Sequence, residues 1–280
     1  MLIPTCVLGS TGIQDQATNG HDPDKFVELG SFTKVVTGTV LHRLAAAGTL
    51  ALDDPIEKWL REVPGGTGIT LRNLADHTSG LPRLPPGLDA SPADPYASFT
   101  DASLADLLQE LDKVVSGPTG RMEYSNLGYA VLGHALRVTT GRTFQLLVNE
   151  HVLAPLGMAA QALTATPTPE ARLVPRSIFG RPRGLWSMTG PILPAGGLWG
   201  TPRTAARLLV SLVVDQRLGE PALSWMRTGS SIWHNGATRN SSVFGGAHTD
   251  GRWVLVHRLH GNPGRTDRLA LKVLKEANTP

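Results

Sequence analysis

Residues 28–34 read Glu28-Leu29-Gly30-Ser31-Phe32-Thr33-Lys34. The pattern is a strand end turning through Gly30 into a helix, with Ser31 at the helix start. Spacing predicts that helix over residues 31–47, with Val36, Val40, Leu41 and Leu44 as its apolar stripe. Gly48 follows where a C-terminal stop is expected. Ser31 and Lys34 are three apart and so share one helix face. A serine hydroxyl is a weak nucleophile that needs a proton acceptor nearby. A lysine one turn away can be that acceptor or can shape the field around one. Unpaired N–H groups at a helix start favour a developing anion. A plainer alternative makes Ser31 an N-cap and Lys34 a solvated surface residue, and the choice turns on the rest of the chain.

Outward from this stretch, residues 3–8 and 26–29 have the composition of strands, separated by a polar turn region. Pro55 opens a short helix over 55–61, and Thr70 caps another over 71–77. A proline-rich loop covers 81–96. Leu104, Leu107, Leu108 and Leu111 mark a helix over 103–113. A loop leads to Tyr124-Ser125-Asn126, and the next helix runs to about residue 139, stopped by Gly141. Thr143 caps a further helix, residues 163–193 are mostly irregular, and Thr201-Pro202 opens a helix over 203–214. Residues 241–247 and 252–260 alternate as strands around the turn Thr249-Asp250-Gly251. A closing helix covers 266–276. Strands at both termini with helices between predict an α+β fold, an α/β sandwich. Its antiparallel sheet is assembled from the two ends and flanked by helices, and a mainly helical subdomain is inserted between. The expected division is a sheet lobe of residues 1–55 and 190–280 and a helical lobe of residues 56–189, with the active site at the seam.

Composition narrows the function classes. A net charge of +3 with no run of Lys and Arg gives no nucleic-acid surface. A single cysteine, Cys6, excludes an internal disulfide and a cysteine-based zinc site. No His-Glu-x-x-His spacing occurs, and His257 and His260 would face opposite sides of a strand, so neither metal nor cofactor is expected. The most apolar stretch, residues 208–214, is far too short to span a bilayer, so no membrane partner is expected. With no charged region leading into an apolar one near the start, the chain reads as cytoplasmic, unless the true start lies upstream and the protein is exported. His77 reads as structural. Trp199 and Trp233 read as core more than as pocket lining.

Three short motifs stand in one order: Ser31-Phe32-Thr33-Lys34, then Tyr124-Ser125-Asn126, then His234-Asn235-Gly236-Ala237. Ser-x-x-Lys, Tyr-x-Asn and a basic-residue-x-Gly strand in this order resemble the serine β-lactamases and penicillin-binding proteins. The likeness is to the class C β-lactamase-related group, which includes D-alanyl-D-alanine carboxypeptidases, D-aminopeptidases and family VIII esterases. Residues 71–82, 124–133, 153–158 and 195–198 resemble it as well.

The resemblance implies that Ser31 attacks a carbonyl to form an acyl-enzyme, with Lys34 and Tyr124 handling its proton; which of the two is the base stays open. It implies an oxyanion hole from the backbone N–H groups of Ser31 and Ala237, beside Gly236, and an Asn126 that orients Lys34 and touches the acyl group. It implies a small-molecule ester, amide or β-lactam as partner. His234 departs from the lysine usual in the β-lactamases and shifts the expectation toward an esterase or D-peptidase-like hydrolase. A β-lactamase, an acyltransferase and a catalytically idle ligand-binding homologue are the alternatives. The short segment before Ser31 is a second departure. It predicts that the sheet lacks its N-terminal first strand, and an edge exposed in that way would invite a homodimer.

Overall fold

The computed structural model describes residues 2–88, 94–177 and 179–276. In chain order, β1 (Thr5–Gly9), β2 (Gln16–Thr18) and β3 (Val27–Glu28) precede α1 (Thr33–Ala46). Five helices follow: α2 (Leu71–Ala75), α3 (Asp101–Gln109), α4 (Leu111–Val114), α5 (Asn126–Thr140) and α6 (Phe144–Val148). Then come β4 (Leu163–Thr164), α7 (Leu193–Gly196), β5 (Trp199–Gly200) and α8 (Pro202–Leu209). The chain closes with β6 (Met226–Thr228), β7 (Ser231–Ala237), β8 (Ser242–His248), β9 (Trp253–Arg258) and α9 (Pro263–Glu276).

The main sheet has the order β2-β1-β9-β8-β7-β6, and every neighbouring pair is antiparallel. The two ends of the chain meet where β1 pairs with β9, from Thr5 opposite Arg258 to Gly9 opposite Val254. A fold of antiparallel sheet and helices is thus in place, and the two termini supply the sheet as the strand-like ends of the sequence predict.

Alternation along β9 sorts side chains between two cores. Leu255 enters the main core, whereas Val254 and Val256 join Val7 and Phe244 beneath Ala270 and Leu274 of α9. The sheet is covered on both faces, so its inner strands show little polar–apolar contrast in sequence. α1 lies in the main core with ten of its fourteen residues buried, far more than the predicted four-residue stripe.

The N-terminal prediction needs correction. The sheet does not lack its first strand, because residues 5–18 form a complete hairpin in which β2 pairs Thr18, Ala17 and Gln16 with Thr5, Cys6 and Val7. β2 escapes sequence reading because its three residues are polar or small and all exposed. The second predicted strand shrinks to Val27–Glu28 and belongs to a separate small sheet of order β3-β5-β4. The edge of β1 on which the homodimer expectation rested is therefore occupied by β2.

The helices differ in places from the sequence reading. The predicted helix over 103–113 is two, α3 and α4, broken where Glu110 leaves helical geometry at φ −123° and ψ 24°. The helix at 55–61 is a single turn, Ile56–Lys58, with Pro55 extended outside it. α8 continues beyond Leu209 in a wider turn, Val210–Val214. The proline-rich loop at 81–96 falls partly outside the described residues.

Local signals hold elsewhere. Thr70, Thr143 and Thr201 each accept a backbone N–H from three residues ahead, and Gly141 ends α5 at φ 65°. The β8–β9 turn closes through His248 N–H to Arg252 O at 2.7 Å, with Gly251 at φ 90°.

Candidate active site

Ser31 lies in the tight turn Gly30–Phe32 that leads into α1, and its hydroxyl does not cap the helix. It is left for two other partners. The Tyr124 hydroxyl lies 2.6 Å from Ser31 Oγ, and Lys34 Nζ lies 3.2 Å from it. Lys34 is fully buried, contrary to the reading of a solvated lysine. Its Nζ donates to Asn126 Oδ1 at 2.8 Å and to the Ala195 carbonyl at 2.6 Å. It also stands over the rings of Tyr124 and Tyr129, at 4.9 and 5.2 Å from their centroids. Burial, and then the Arg83 guanidinium, hold the Lys34 ammonium well below the ordinary lysine range.

Tyr124 and Asn126 are held by the segment 77–83. Ser125 caps α5 by accepting from Gly128 N–H at 2.8 Å, while its hydroxyl donates to Pro82 O at 2.7 Å. Ser125 N–H donates to His77 Nδ1 at 3.1 Å, and Asn126 N–H donates to Arg83 O at 2.9 Å. Asn126 Nδ2 donates to the Tyr96 hydroxyl at 2.9 Å, which turns its Oδ1 toward Lys34. Burial pushes the Tyr124 phenol up to about 12, with the Ser31 hydrogen bond and Arg83 pulling against it.

His77 is buried in the left-handed region at φ 64°, a conformation uncommon outside glycine. Its ring packs on Tyr124 at 4.5 Å and on Tyr129 at 5.1 Å between centroids. It supports Tyr124 and makes no hydrogen bond to Ser31 or Lys34.

The third predicted motif lies on β7. β6 pairs only with Ser231, Ile232 and Trp233, so the segment 234–237 has an open edge on that side. His234 is buried, and its Nδ1 donates to the Asn235 carbonyl at 2.6 Å. Its Nε2 is then a buried lone pair with no partner among the described residues. Burial, and then the charge of Lys34, lower its pKa to about 3, so the ring is neutral at ordinary pH. His234 has no N–H left to aim into the site, because its donor nitrogen is taken up by the strand's own backbone.

Gly236 and Gly30 explain how β7 meets the serine turn. A Cβ on Gly236 would collide with Leu29 O and lie 2.9 Å from Ser31 N. One on Gly30, at φ 50°, would lie 2.8 Å from Ala237 N. The absence of both Cβ atoms lets the Ser31 and Ala237 amides approach each other. Of the seven predicted residues, Lys34 and Tyr124 reach the Ser31 hydroxyl, Asn126 bonds Lys34, and Gly236 and Ala237 stand against the Ser31 turn on β7, the strand that also carries His234.

Sequence reading missed Arg83, Tyr96, Tyr129 and the Ala195 carbonyl. Residues 77–83 and Ala195 fall in or beside the motif stretches, which was the only available signal. The other predicted histidines are accounted for separately: His257 Nδ1 is 2.8 Å from His21 Nε2, and His260 has no part in that pair. Among the described residues, no three His, Cys, Asp or Glu side chains group as a metal site would require. No helix among them is long and apolar enough to cross a membrane.

A family profile described as Beta-lactamase matches residues 7–263 of the chain. The chain belongs to the β-lactamase family. A relative within reach of sequence comparison is the D-alanyl-D-alanine-carboxypeptidase/endopeptidase AmpH of Escherichia coli, 33% identical over 184 residues. That alignment covers 64% of this chain and 46% of the relative, so the chain spans less than half its length. Among solved structures, a β-lactamase/D-alanine carboxypeptidase from Yersinia pestis superposes with a TM-score of 0.76 at 21% identity, covering 99% of this chain and 93% of that one. A class C β-lactamase from Rhodobacter sphaeroides gives a TM-score of 0.75 at 17% identity, covering 98% and 94%. At these identities the structural likeness establishes a shared fold. The three motifs read from the sequence lie close together in this fold.

Proposed function

We propose that this β-lactamase-family chain is a serine hydrolase that acts through an acyl-enzyme on a small ester or amide, as an esterase or a D-peptidase-like enzyme. The observation that carries the reading is Ser31 Oγ held between the Tyr124 hydroxyl at 2.6 Å and Lys34 Nζ at 3.2 Å.

We assign the base to Lys34. A neutral Lys34 amine has two N–H groups, which match Asn126 Oδ1 and the Ala195 carbonyl, and one lone pair, which faces Ser31. Burial pushes the amine down and the phenol up, which favours a neutral lysine beside a neutral tyrosine in this reading. Lys34 then takes the Ser31 proton as Oγ bonds to the substrate carbonyl carbon. The Ser31 and Ala237 N–H groups receive the oxyanion. The Tyr124 hydroxyl gives its proton to the leaving group and is reprotonated from the Lys34 ammonium, which restores both neutral groups. In deacylation a water yields its proton to Lys34 and attacks the acyl carbon, and Ser31 Oγ departs with a proton from Tyr124. Asn126 fixes Lys34 throughout. The His234 lone pair is suited to accept a donor on the substrate and offers no positive charge.

Two lobes support this arrangement, with residues 1–55 and 190–280 supplying Ser31, Lys34, Ala195 and β7, and residues 56–189 supplying Tyr124, Asn126 and their supports. Names borne by relatives (carboxypeptidase and β-lactamase) mark out the candidate substrates. A neutral His234 favours esters and peptide-like amides over a cephalosporin carboxylate held at β7.

A panel of short-chain p-nitrophenyl esters, D-amino acid amides and cephalosporins against wild type and Ser31→Ala tests the reading. We expect ester turnover, weak or no cephalosporin turnover, and background rates in Ser31→Ala. Full esterase activity in Ser31→Ala would defeat the assignment.

A further inference from the structure

Arg83 sits at the end of the segment that holds Tyr124 and Asn126. Its guanidinium carbon is 5.2 Å from the centroid of the Tyr124 ring, and its own carbonyl holds Asn126 N–H. The residue is exposed. None of the ion pairs among the described residues includes it. Lys34 Nζ stands 4.9 Å from the centroid of the same Tyr124 ring, so the exposed Arg83 brings a cation to the edge of the site.

Neither of the other basic side chains there can meet an anion from outside. Lys34 is fully buried, with its N–H groups taken by Asn126 and Ala195. His234 gives its one N–H to the Asn235 carbonyl. A guanidinium resting on an aromatic face has its plane fixed while its N–H edges point outward, a geometry that matches a carboxylate with two parallel hydrogen bonds. A side chain already resting on the Tyr124 ring has less conformational freedom to lose when such a pair forms.

We propose that Arg83 is the anion receptor of this site: it selects small esters or amides that carry a carboxylate within reach of Tyr124 and Asn126, away from β7. The proposal rests on Ser31 being the nucleophile. It assigns a substrate class, monoanionic acyl compounds, and a specificity-determining residue.

Two matched pairs of esters test it. Mono-p-nitrophenyl succinate against p-nitrophenyl acetate places the carboxylate in the acyl half. 3-Acetoxybenzoate against its methyl ester places it in the leaving half. Wild type should favour the anionic member of at least one pair by about tenfold in kcat/KM, as expected for a partly exposed charge-assisted pair. The pair that responds identifies the half of the substrate that Arg83 reads. Arg83→Ala should bring that ratio close to one, and Arg83→Lys, which keeps the charge without the planar fork, should retain part of it.

A ratio near one in both pairs for wild type would overturn the proposal, as would a preference unchanged in Arg83→Ala. A separate readout keeps it apart from the hydrolase reading. In Ser31→Ala protein, ligand-observed NMR titration with monomethyl succinate and dimethyl succinate should show tighter binding of the anion, lost when Arg83→Ala is added. Ester turnover that ignores Ser31 would sink the hydrolase reading alone, whereas equal binding of the two succinates would sink this one.

Discussion

On the sheet side of the site, β7 and the Gly30–Phe32 turn meet backbone to backbone, with no room for a Cβ at Gly236 or Gly30. On the helical side, Tyr124 and Asn126 stand at the start of α5, fixed by His77, Pro82, Arg83 and Tyr96 through rings and hydrogen bonds. In the proposed mechanism substrate polarisation falls to backbone amides whose spacing the main chain sets. In the same mechanism proton transfer falls to side chains whose pKa values burial shifts. A change on the helical side should alter the chemistry and leave the fold intact. The same size of change on the sheet side should damage both.

The largest effect is expected at Tyr124→Phe. The ring remains to pack on His77 and carry Arg83, but the proton donor is gone, so kcat should fall by about 10²- to 10⁴-fold with little change in melting temperature. Wild-type kcat/KM should be lost as pH falls through the Lys34 pKa, because a protonated amine cannot take the Ser31 proton. That acid limb lies below the ordinary lysine range, and it should persist in Tyr124→Phe. A limb that vanishes with the phenol would make Tyr124 the base and reverse the division of labour.

Gly236→Val comes next. The added atoms overlap Leu29 O and crowd Ser31 N. Displacing one oxyanion donor costs about 10²- to 10³-fold in kcat, and overpacking costs about 1–3 kcal/mol of stability. Parallel activity and denaturation measurements should show both losses. Normal stability with lost activity would mean that the turn yields more freely than its contacts imply.

The smallest effect is on stability against pH. His77 and His234 are buried and neutral, with pKa values lowered to about 2 and about 3. Because the unfolded chain binds protons near pH 6.5 and the folded one does not, stability is fully present above that pH. It is lost as pH falls toward these lower values, at a slope of up to about 1.4 kcal/mol per pH unit for each histidine. Urea denaturation between pH 7 and 5 should show this slope, and His77→Gln should reduce it. His21 and His257 are lowered by burial as well, so the two single variants report the shares of His77 on the helical side and His234 on β7.

The same contrast governs what the sequence discloses. Caps at Thr70, Thr143 and Thr201, the stop at Gly141 and the turn at Gly251 are local devices, readable from a few residues. β2 is not, because pairing with β1 decides it and its own side chains face water. Ser31, Lys34, Tyr124, Asn126 and His234 are legible as motifs in order. The burial of Lys34 is not legible, since a lysine near a helix start ordinarily reads as solvated. Nor can spacing reveal the Ala195 carbonyl, which any residue type could supply. Arg83 reads as surface, and only its place over the Tyr124 ring gives it a role.

Covalent labelling tests the nucleophile most directly. Incubation of the full chain with a fluorophosphonate, followed by intact-mass measurement and peptide mapping, should give one adduct per chain, on Ser31. The adduct should be absent in Ser31→Ala and formed far more slowly in Lys34→Met. An unlabelled wild type, or an adduct carried by any other residue, would contradict the account.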